Sequence, residues 1–200
     1  MEETVSPNKY KYTLQADDFV KLFLASDEEF DQLRETLIKD GSIDEHCIQR
    51  EDVVFFRNLK ILGTVYFLNQ QKENCREVEC ENLTFWNFDI FNCCLKANEE
   101  NSVFLFKNCT FRRFGIKKSF VYGVTIKGKS IIDQLWFQDA FLYTLEYQEL
   151  AVERVSFHSS FVDSFTLSKS TVKDFEIGSK SAIKSISVKD GSEIGLLNCE

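Results

Sequence analysis

The sequence SFVDS FTLSK STVKD, residues 160–174, contains three successive five-residue cells, each with an apolar residue at its third position. The same spacing extends from Phe104 to Ile194, with occasional slips of one residue. Two positions before each centre stands a second residue that alternates between large and small, as at Phe165 and Ser170. Residues two apart in an extended strand point to the same side, so both positions belong to one buried face.

A fixed repeat is typical of stacked architectures, in which each unit buries its apolar face against its neighbours. Four cells make a coil of about twenty residues, and parallel pairing spaces the coils about 4.8 Å apart. We therefore expect a mainly β protein, a right-handed parallel β-helix of about six coils. The central residues are Phe106, Phe111, Ile116, Val121, Ile126, Ile132, Phe137, Leu142, Tyr147, Val152, Phe157, Val162, Leu167, Val172, Ile177, Ile183, Val188 and Ile194.

Large and small inward residues are expected in separate interior columns, because the alternation repeats once per half coil. Large side chains then pack against small ones across the core, which allows close packing. An antiparallel sandwich is the alternative, but its hairpins need turn residues, and the chain has one Pro and eight Gly. One large column contains Phe114, Leu135, Val155 and Phe175, and one small column contains Ser119, Ala140, Ser160 and Ser181.

These cells resemble those of the pentapeptide-repeat family, which have a central Leu or Phe preceded two positions earlier by a small residue. The cells at 160–164 and 170–174 fit this description, and the likeness extends with interruptions from Val54 to Ile194. It departs in two ways: half of the earlier positions are large, and the usual Asp or Asn before the centre is mostly absent. The resemblance implies a right-handed quadrilateral β-helix, and a broader right-handed β-helix is the alternative.

The chain before the repeat has helical periodicity, so we divide the protein into an amino-terminal cap, residues 1–45, and a solenoid, residues 46–200. Two short helices are expected, and Ser26 with Glu29 forms a capping box at the start of the second. The helices would cover the apolar floor and strand edges of the first coil. A helical hairpin that binds a partner is the alternative. The apolar helix residues are Phe19, Leu22, Phe23, Phe30, Leu33 and Leu37.

Two polar stretches interrupt the repeat, at 69–74 and 96–102. We interpret both as loops that project from corners of the coils. After Ile194 only six residues follow, too few to cover the final coil. Inward side chains there would be exposed together with a strand edge. We expect either that two molecules meet at this end or that the sequence belongs to a longer protein.

The net charge of −8 is concentrated in the first half, where 11 Lys and Arg face 21 Asp and Glu; the second half has 13 against 11. No basic footprint for nucleic acid is present, and no apolar run has the length of a membrane span. Seven Cys in a chain without a signal-peptide core indicate a reducing compartment. The expected location is cytoplasmic, with neither nucleic acid nor membrane as partner.

The sequence offers no catalytic constellation, and we predict a protein that is not an enzyme and has no cofactor and no metal. Outward positions such as Asp133 and Lys173 carry mixed charge rather than a carboxylate pair. His158 occupies an outward position without the buried acid that a Ser-His-Asp triad requires. Four cysteines lack the spacing of a zinc site and are interpreted as core and loop residues. They are Cys75, Cys80, Cys93 and Cys94.

Outward aromatic residues form the candidate functional surface. Phe120, Phe141 and Phe161, here called the aromatic ladder, precede their central residues and should stack coil upon coil. Tyr122 and Tyr143 follow the centres on the same face, and Trp136 stands on the neighbouring face. A contiguous apolar patch is typical of an interface, with aromatic anchors. Cover by the chain's own amino-terminal segment is the alternative.

The sequence thus favours a non-enzymatic protein-protein interaction or scaffold module. Its expected partner is another protein or a second copy, bound through the aromatic face or the open carboxy-terminal coil. The resemblance suggests one alternative, an acidic DNA mimic that binds a topoisomerase, which the near-neutral second half disfavours. A carbohydrate-active β-helix is a third alternative, disfavoured by the lack of clustered acids.

Overall fold

The computed structural model describes residues 10–97 and 102–199, and 62% of the chain is strand. Two helices, α1 (Ala16–Leu24) and α2 (Asp27–Lys39), lie near the amino terminus. The strands are β1 (Tyr12–Gln15), β2 (Ile48–Arg50), β3 (Val54–Arg57), β4 (Leu59–Leu62), β5 (Thr64–Leu68), β6 (Gln71–Cys75), β7 (Val78–Glu81), β8 (Thr84–Phe91), β9 (Cys94–Ala97), β10 (Phe104–Lys107), β11 (Thr110–Lys117), β12 (Phe120–Lys127), β13 (Ile131–Gln138), β14 (Phe141–Gln148), β15 (Ala151–His158), β16 (Phe161–Ser168), β17 (Thr171–Ile177), β18 (Ala182–Lys189) and β19 (Glu193–Cys199).

The strands form two sheets whose neighbours are parallel, apart from the antiparallel pair β2 and β3. Sheet A has the order β1-β4-β8-β11-β13-β15-β17-β19, with β5 also paired to β8. Sheet B has the order β2-β3-β7-β10-β12-β14-β16-β18, with β9 paired to β12 and β6 to β9. From β10 onward, successive strands alternate between the sheets. The chain therefore winds as a solenoid of about seven coils, which confirms the parallel β-helix and excludes the sandwich.

One of the two polar interruptions is itself part of the solenoid. The interpretation of residues 69–74 as a loop is wrong, because residues 71–75 form β6 and pair with β9 through an irregular register. This strand helps to explain why about seven coils are observed where about six were predicted. In the second interruption β9 continues to Ala97, and residues 98–101 lie outside the described residues.

The interior is built from side chains separated alternately by two and three residues. Along β13 and β14 the buried positions are 132, 135, 137, 140, 142, 145 and 147. An interval of three marks a bend with two successive outward side chains, and the pairing ladder omits one of them, as at Asp133. The predicted large column is confirmed by the register, which aligns Phe114, Leu135, Val155 and Phe175.

Residues with positive φ turn every second corner. In the first coils these residues are asparagines, including Asn58, Asn69, Asn82 and Asn92, with φ between 52° and 55°. Asparagine tolerates the left-handed region better than most residues other than glycine. The amides also connect coils, since Asn82 Nδ2 donates to Asn58 Oδ1 at 3.0 Å and Asn92 Nδ2 donates to Asn69 Oδ1 at 2.6 Å. Corners of this kind explain how the chain turns with few glycines.

Buried serines follow these corners and satisfy backbone groups there. The Ser160 hydroxyl accepts the backbone N–H of Ala140, one coil earlier, at 3.2 Å and donates to the His158 carbonyl at 2.9 Å. The Ser170 hydroxyl likewise accepts the N–H of Leu150 at 3.2 Å and donates to Ser168. The small inward position was predicted for its size alone, and the hydroxyl adds a hydrogen bond where a buried N–H would otherwise lack a partner.

Ser170→Ala tests this hydrogen bond. Because Leu150 is buried, the substitution leaves its N–H without an acceptor and should lower the free energy of unfolding by about 1 to 3 kcal/mol. Urea denaturation followed by circular dichroism measures the loss. Ser185→Ala, at an exposed position, should change stability by less than about 0.5 kcal/mol. Equal effects of the two substitutions would contradict the structural role of the hydroxyl.

Tyr147 is fully buried, and its hydroxyl has no hydrogen-bond partner among the described residues. Burial raises the pKa of this phenol well above its ordinary value. Tyr147→Phe should therefore increase the free energy of unfolding by about 1 to 2 kcal/mol, because it removes an unsatisfied polar group without creating a large cavity. Tyr143→Phe, whose hydroxyl lies on a 41% exposed side chain, is the matched control and should be close to neutral. A Tyr147→Phe protein with a lower melting temperature would contradict the assignment.

The helical cap closes one end of the solenoid with aromatic side chains. The Phe19 ring of α1 lies 4.5 Å from Phe56 and 5.7 Å from Phe85, centroid to centroid. The Phe23 ring stacks on Phe104 at 5.3 Å. The predicted capping box of α2 is present, with the Glu29 carboxylate accepting from the Ser26 backbone at 2.9 Å. Cap and solenoid therefore share one hydrophobic core.

Strands on either side of the helices cover the first strand edges of both sheets. In sheet A, β1 pairs in parallel with β4, from Tyr12 with Leu59 to Gln15 with Leu62. In sheet B, β2 pairs antiparallel with β3. Uncovered edges present free N–H and C=O groups that recruit other strands. The sequence pattern predicted only the helices, so these two edge strands are an additional part of the cap.

Candidate functional site

The aromatic ladder lies on sheet B and is held by the strand register. Phe120 pairs with Phe141, and Phe141 pairs with Phe161, so equivalent side chains stand directly above one another. Both ring-to-ring distances are 5.0 Å, with interplanar angles of 12° and 21°. Phe141 is 36% exposed, and its two neighbours are half-buried. The three rings form a straight apolar strip open to solvent.

Two tyrosines form a second stack beside the ladder. Tyr122 and Tyr143 lie 4.9 Å apart, centroid to centroid, at the bends of β12 and β14, where the pairing ladder omits them. Tyr143 is exposed, whereas Tyr122 packs partly against the core. The tyrosines therefore border the strip along a corner of the solenoid, while the phenylalanines lie on the flat face.

Trp136 lies on sheet A, away from the other five predicted site residues. Its indole covers Gly115, where a Cβ atom would meet the ring at 3.2 Å. The Lys117 ammonium lies 5.7 Å from the ring centroid. Trp136 is half-buried by these neighbours, so it does not extend the ladder. The structure brings together five of the six predicted residues.

Charged residues border one side of the ladder. A shallow groove that contains the three rings is also lined by Lys118, Asp139 and Lys180. Lys118, Asp139 and Lys180 all turn corners with positive φ, which places their side chains in one column at the edge of sheet B. Two ammonium groups and one carboxylate give this edge a small positive charge.

A further exposed aromatic group lies on sheet A, and the pattern of central residues did not reveal it. Trp86 is 57% exposed, and the Arg112 guanidinium lies 4.6 Å from its ring centroid. Tyr66 and Leu68 of β5 are also exposed. The signal that identifies them is the outward position in each strand, directly beside an inward residue such as Phe85 or Phe67.

The last coil, formed by β18 and β19, exposes residues that are buried in every regular coil before it. Ile186 and Val188 are each 48% exposed, and Leu197 is 57% exposed. Their counterparts one coil earlier, Phe165, Leu167 and Phe175, are all buried. Among the described residues, no strand pairs with the outer edge of either β18 or β19.

Several outward carboxylates are paired with cations of the adjacent coil. Asp163 Oδ1 accepts from Lys184 Nζ at 2.7 Å, and Glu153 pairs with Lys173 in the same way on sheet A. A glycoside hydrolase requires two carboxyl groups that face one cleft, whereas each of these carboxylates faces a cation. His158 Nε2 lies 3.7 Å from the Glu176 carboxylate on sheet A. Asp163, five residues after His158 in the sequence, belongs to sheet B and pairs with Lys184 instead.

The cysteines are free, and most are in the core. Burial raises the pKa of the Cys109 thiol to about 12 and the pKa of the Cys75 thiol to about 11. Such thiols remain protonated and unreactive at neutral pH. Only Cys94 and Cys199 are less than fully buried. Among the described residues, no group of three or more His, Cys, Asp or Glu could hold a metal ion.

Comparison of the chain with protein-family models, with curated proteins and with solved structures finds no significant match. In the part of the chain that the structure describes, no helix has the length and apolar character needed to cross a membrane. The class of protein is therefore defined by its architecture, a β-solenoid closed at one end by two helices and two edge strands.

Proposed function

We propose that this protein is a non-enzymatic scaffold that binds another protein through the aromatic ladder. The observation that carries the proposal is the alignment of Phe120, Phe141 and Phe161 at 5.0 Å spacing on a face open to solvent. Keeping apolar area in water costs about 25 cal/mol for each Å², and burial in a complex removes this cost. Stacked rings are also rigid anchors that lose little side-chain entropy on binding.

The surroundings of the ladder define the chemistry of the partner. The flat strip suits an extended or helical segment with apolar side chains, and the column of Lys118, Asp139 and Lys180 beside it is slightly positive. We therefore propose a partner segment whose apolar residues are flanked by acidic ones, since charge complementarity guides association. The pairing of charges between coils offers little support for the alternative of a continuous acidic DNA mimic.

Two broader proposals accompany this function. The five-residue cell and the four-sided coil support membership of the pentapeptide-repeat class, with a hydrogen-bonding serine or a large apolar residue two positions before the centre. Seven free cysteines, five of them buried as thiols, support a reducing location such as the cytoplasm.

Phe141→Asp tests the ladder. The substitution places a charge at the centre of the strip and should abolish partner capture from the native cell, while circular dichroism and melting temperature remain close to those of the parent. Ile131→Asp is the matched control, because Ile131 is an outward residue, 53% exposed, at the same position of its strand on sheet A. Loss of capture by both variants, or by neither, would refute the ladder as the binding face.

The last coil favours a second candidate, self-association of the 200-residue chain. Its uncovered edges and exposed inward residues present identical apolar surfaces on every copy, and parallel edges readily recruit strands. A comparison of Leu197→Asp with Phe141→Asp separates the two surfaces. Sedimentation velocity should show a concentration-dependent dimer that Leu197→Asp dissociates and Phe141→Asp does not. A parent chain that remains monomeric at high micromolar concentration would exclude this second candidate.

A further inference from the structure

A cavity of about 450 Å³ lies at the junction of the helical cap and the first coils. Its walls come from the end of α1, the start of α2, and strands β2, β3, β6 and β7. Apolar side chains line one part, among them Phe23, Val54 and Val78, and three basic side chains line another: Arg50, Lys72 and Arg76. The volume is within the range of pockets that bind small molecules.

A single carboxylate pairs with both arginines and therefore balances only one of their two charges. The Arg50 guanidinium forms an ion pair with Asp27, and Arg76 Nη1 lies 3.1 Å from the same Asp27 oxygen. Arg76 Nη2 also donates to the other oxygen of Asp27 at 3.3 Å. The Asp31 carboxylate also attracts the Arg50 guanidinium electrostatically, from a greater distance. The Glu29 carboxylate also lines the cavity, but it is held by the Ser26 backbone and hydroxyl at the start of α2.

Lys72 has no carboxylate partner among residues 10–97 and 102–199. Its ammonium donates to the Phe23 carbonyl at 2.9 Å and lies 5.3 Å from the Phe23 ring centroid. Burial lowers the pKa of Lys72, and the nearby Arg50 and Arg76 guanidiniums lower it further. A half-buried ammonium that faces two other cations is destabilised by repulsion, and a bound anion would relieve that repulsion.

Arg50 contributes a second sign of an incomplete site. Its side chain is 13% exposed, and its Nε–H is buried without an acceptor among the described residues. The other guanidinium nitrogens are occupied, since Nη1 donates to the Ser26 carbonyl at 2.9 Å and Nη2 pairs with Asp27. Buried donors in folded proteins almost always have a partner. The amino terminus of the 13-residue helix α2 adds a partial positive charge at the same wall.

We propose that this cavity binds the phosphate group of a phosphate monoester whose organic part is apolar. The three cations outnumber the two carboxylates that line or contact the cavity, Glu29 and Asp27, and this surplus of positive charge favours an anionic group such as a phosphate monoester. Arg guanidinium and Lys ammonium groups are the usual donors to phosphate oxygens. Phe23, Val54 and Val78 provide the apolar wall for the organic part. Strands of sheet B supply this site together with the cap, so it exists only in the folded protein.

Phenyl phosphate and inorganic phosphate are the probes, with chloride at matched ionic strength as reference. Isothermal titration calorimetry of the full chain should show binding of phenyl phosphate that is at least about tenfold tighter than binding of inorganic phosphate, because only the ester has an apolar part. Equal affinities for the two probes would overturn the monoester, and no binding of either at millimolar concentration would overturn the phosphate site.

Variants assign the binding to this cavity. Arg76→Gln and Lys72→Met should each weaken binding of phenyl phosphate by at least about tenfold, since each removes a charged donor. Arg113→Gln is the matched control, because Arg113 also pairs with one aspartate, Asp89, and its side chain is 43% exposed against 40% for Arg76. This control should bind like the parent. Parent-like affinity in both Arg76→Gln and Lys72→Met would exclude this cavity as the binding site of phenyl phosphate.

Asp27→Asn provides a test in the opposite direction. The carboxylate competes with the ligand for both arginines, so its neutralisation should tighten phenyl phosphate binding several-fold. A merely structural role for the Asp27 pairs predicts equal or weaker binding instead. Circular dichroism of each variant without ligand checks that the cap remains folded. If Arg76→Gln has lost its helical signal, it is replaced by Arg76→Lys, which should retain part of the affinity.

Discussion

Phe88→Ala should lower the free energy of unfolding by about 3 to 5 kcal/mol, the range observed when a buried phenylalanine is truncated. Seven other phenylalanine rings have centroids within 6.4 Å of Phe88, from Phe19 in the cap to Phe114 in β11. The space left by the substitution cannot collapse easily, because the surrounding rings are held by strands of several coils. Since whole domains are stable by only about 5 to 15 kcal/mol, much of the protein should unfold at moderate urea concentration.

The matched control for this prediction lies two residues earlier on the same strand. Trp86 is larger than Phe88 but points outward and is 57% exposed. Trp86→Ala removes the stacking with Arg112 and should cost no more than about 1 kcal/mol. Urea denaturation of both variants, followed by fluorescence and circular dichroism, measures the difference. Comparable losses at the two positions would mean that the inward register of β8 is incorrect.

Removal of residues 1–41 should convert the protein into an aggregating rod. The deletion takes away β1, α1 and α2, so that the β4 edge and the rings of Phe56, Phe85 and Phe88 face water together. Exposed strand edges and a large apolar floor both promote association. We expect loss of soluble expression, or oligomers in size-exclusion chromatography with light scattering.

A point substitution separates the contribution of the core from that of the strand edge. Phe19→Asp leaves β1 in place but puts a carboxylate among three aromatic rings, which costs several kcal/mol through lost burial and desolvation. Lys21→Asp, on the exposed side of the same helix, should leave the melting temperature nearly unchanged. A deletion variant that stays monomeric with the melting temperature of the parent would show that the helices do not close the solenoid.

The solenoid could be predicted because its signal is local. Inward residues such as Val162, Leu167 and Val172 recur at a spacing that any stretch of twenty residues displays, and parallel stacking follows from the repetition. The capping box of Ser26 and Glu29 is equally local, since both partners lie within four residues. The polar stretch at 69–74 was misread because a strand with polar outward residues and an irregular register has no clear period.

The candidate surface was only partly predictable. The stacking of Phe120, Phe141 and Phe161 follows from the repeat, so their positions could be derived from spacing. Their exposure, and the location of Tyr143 at a bend, depend on where each coil turns and on what lies beside it. Trp136 was assigned correctly to another face, but its cover by Lys117 and its contact with Gly115 involve residues one coil away.

The sequence by itself determined the repeat, the inward columns and the two helices, because each depends on contacts between residues near in the chain or on a period repeated many times. The tertiary structure decided how the amino-terminal end of the solenoid is closed and which charges meet. Strand β1 covers β4 across more than forty residues, and Lys72 reaches the carbonyl of Phe23. Such pairings leave no period in the sequence, because they are formed once, between segments that only the folded cap brings together.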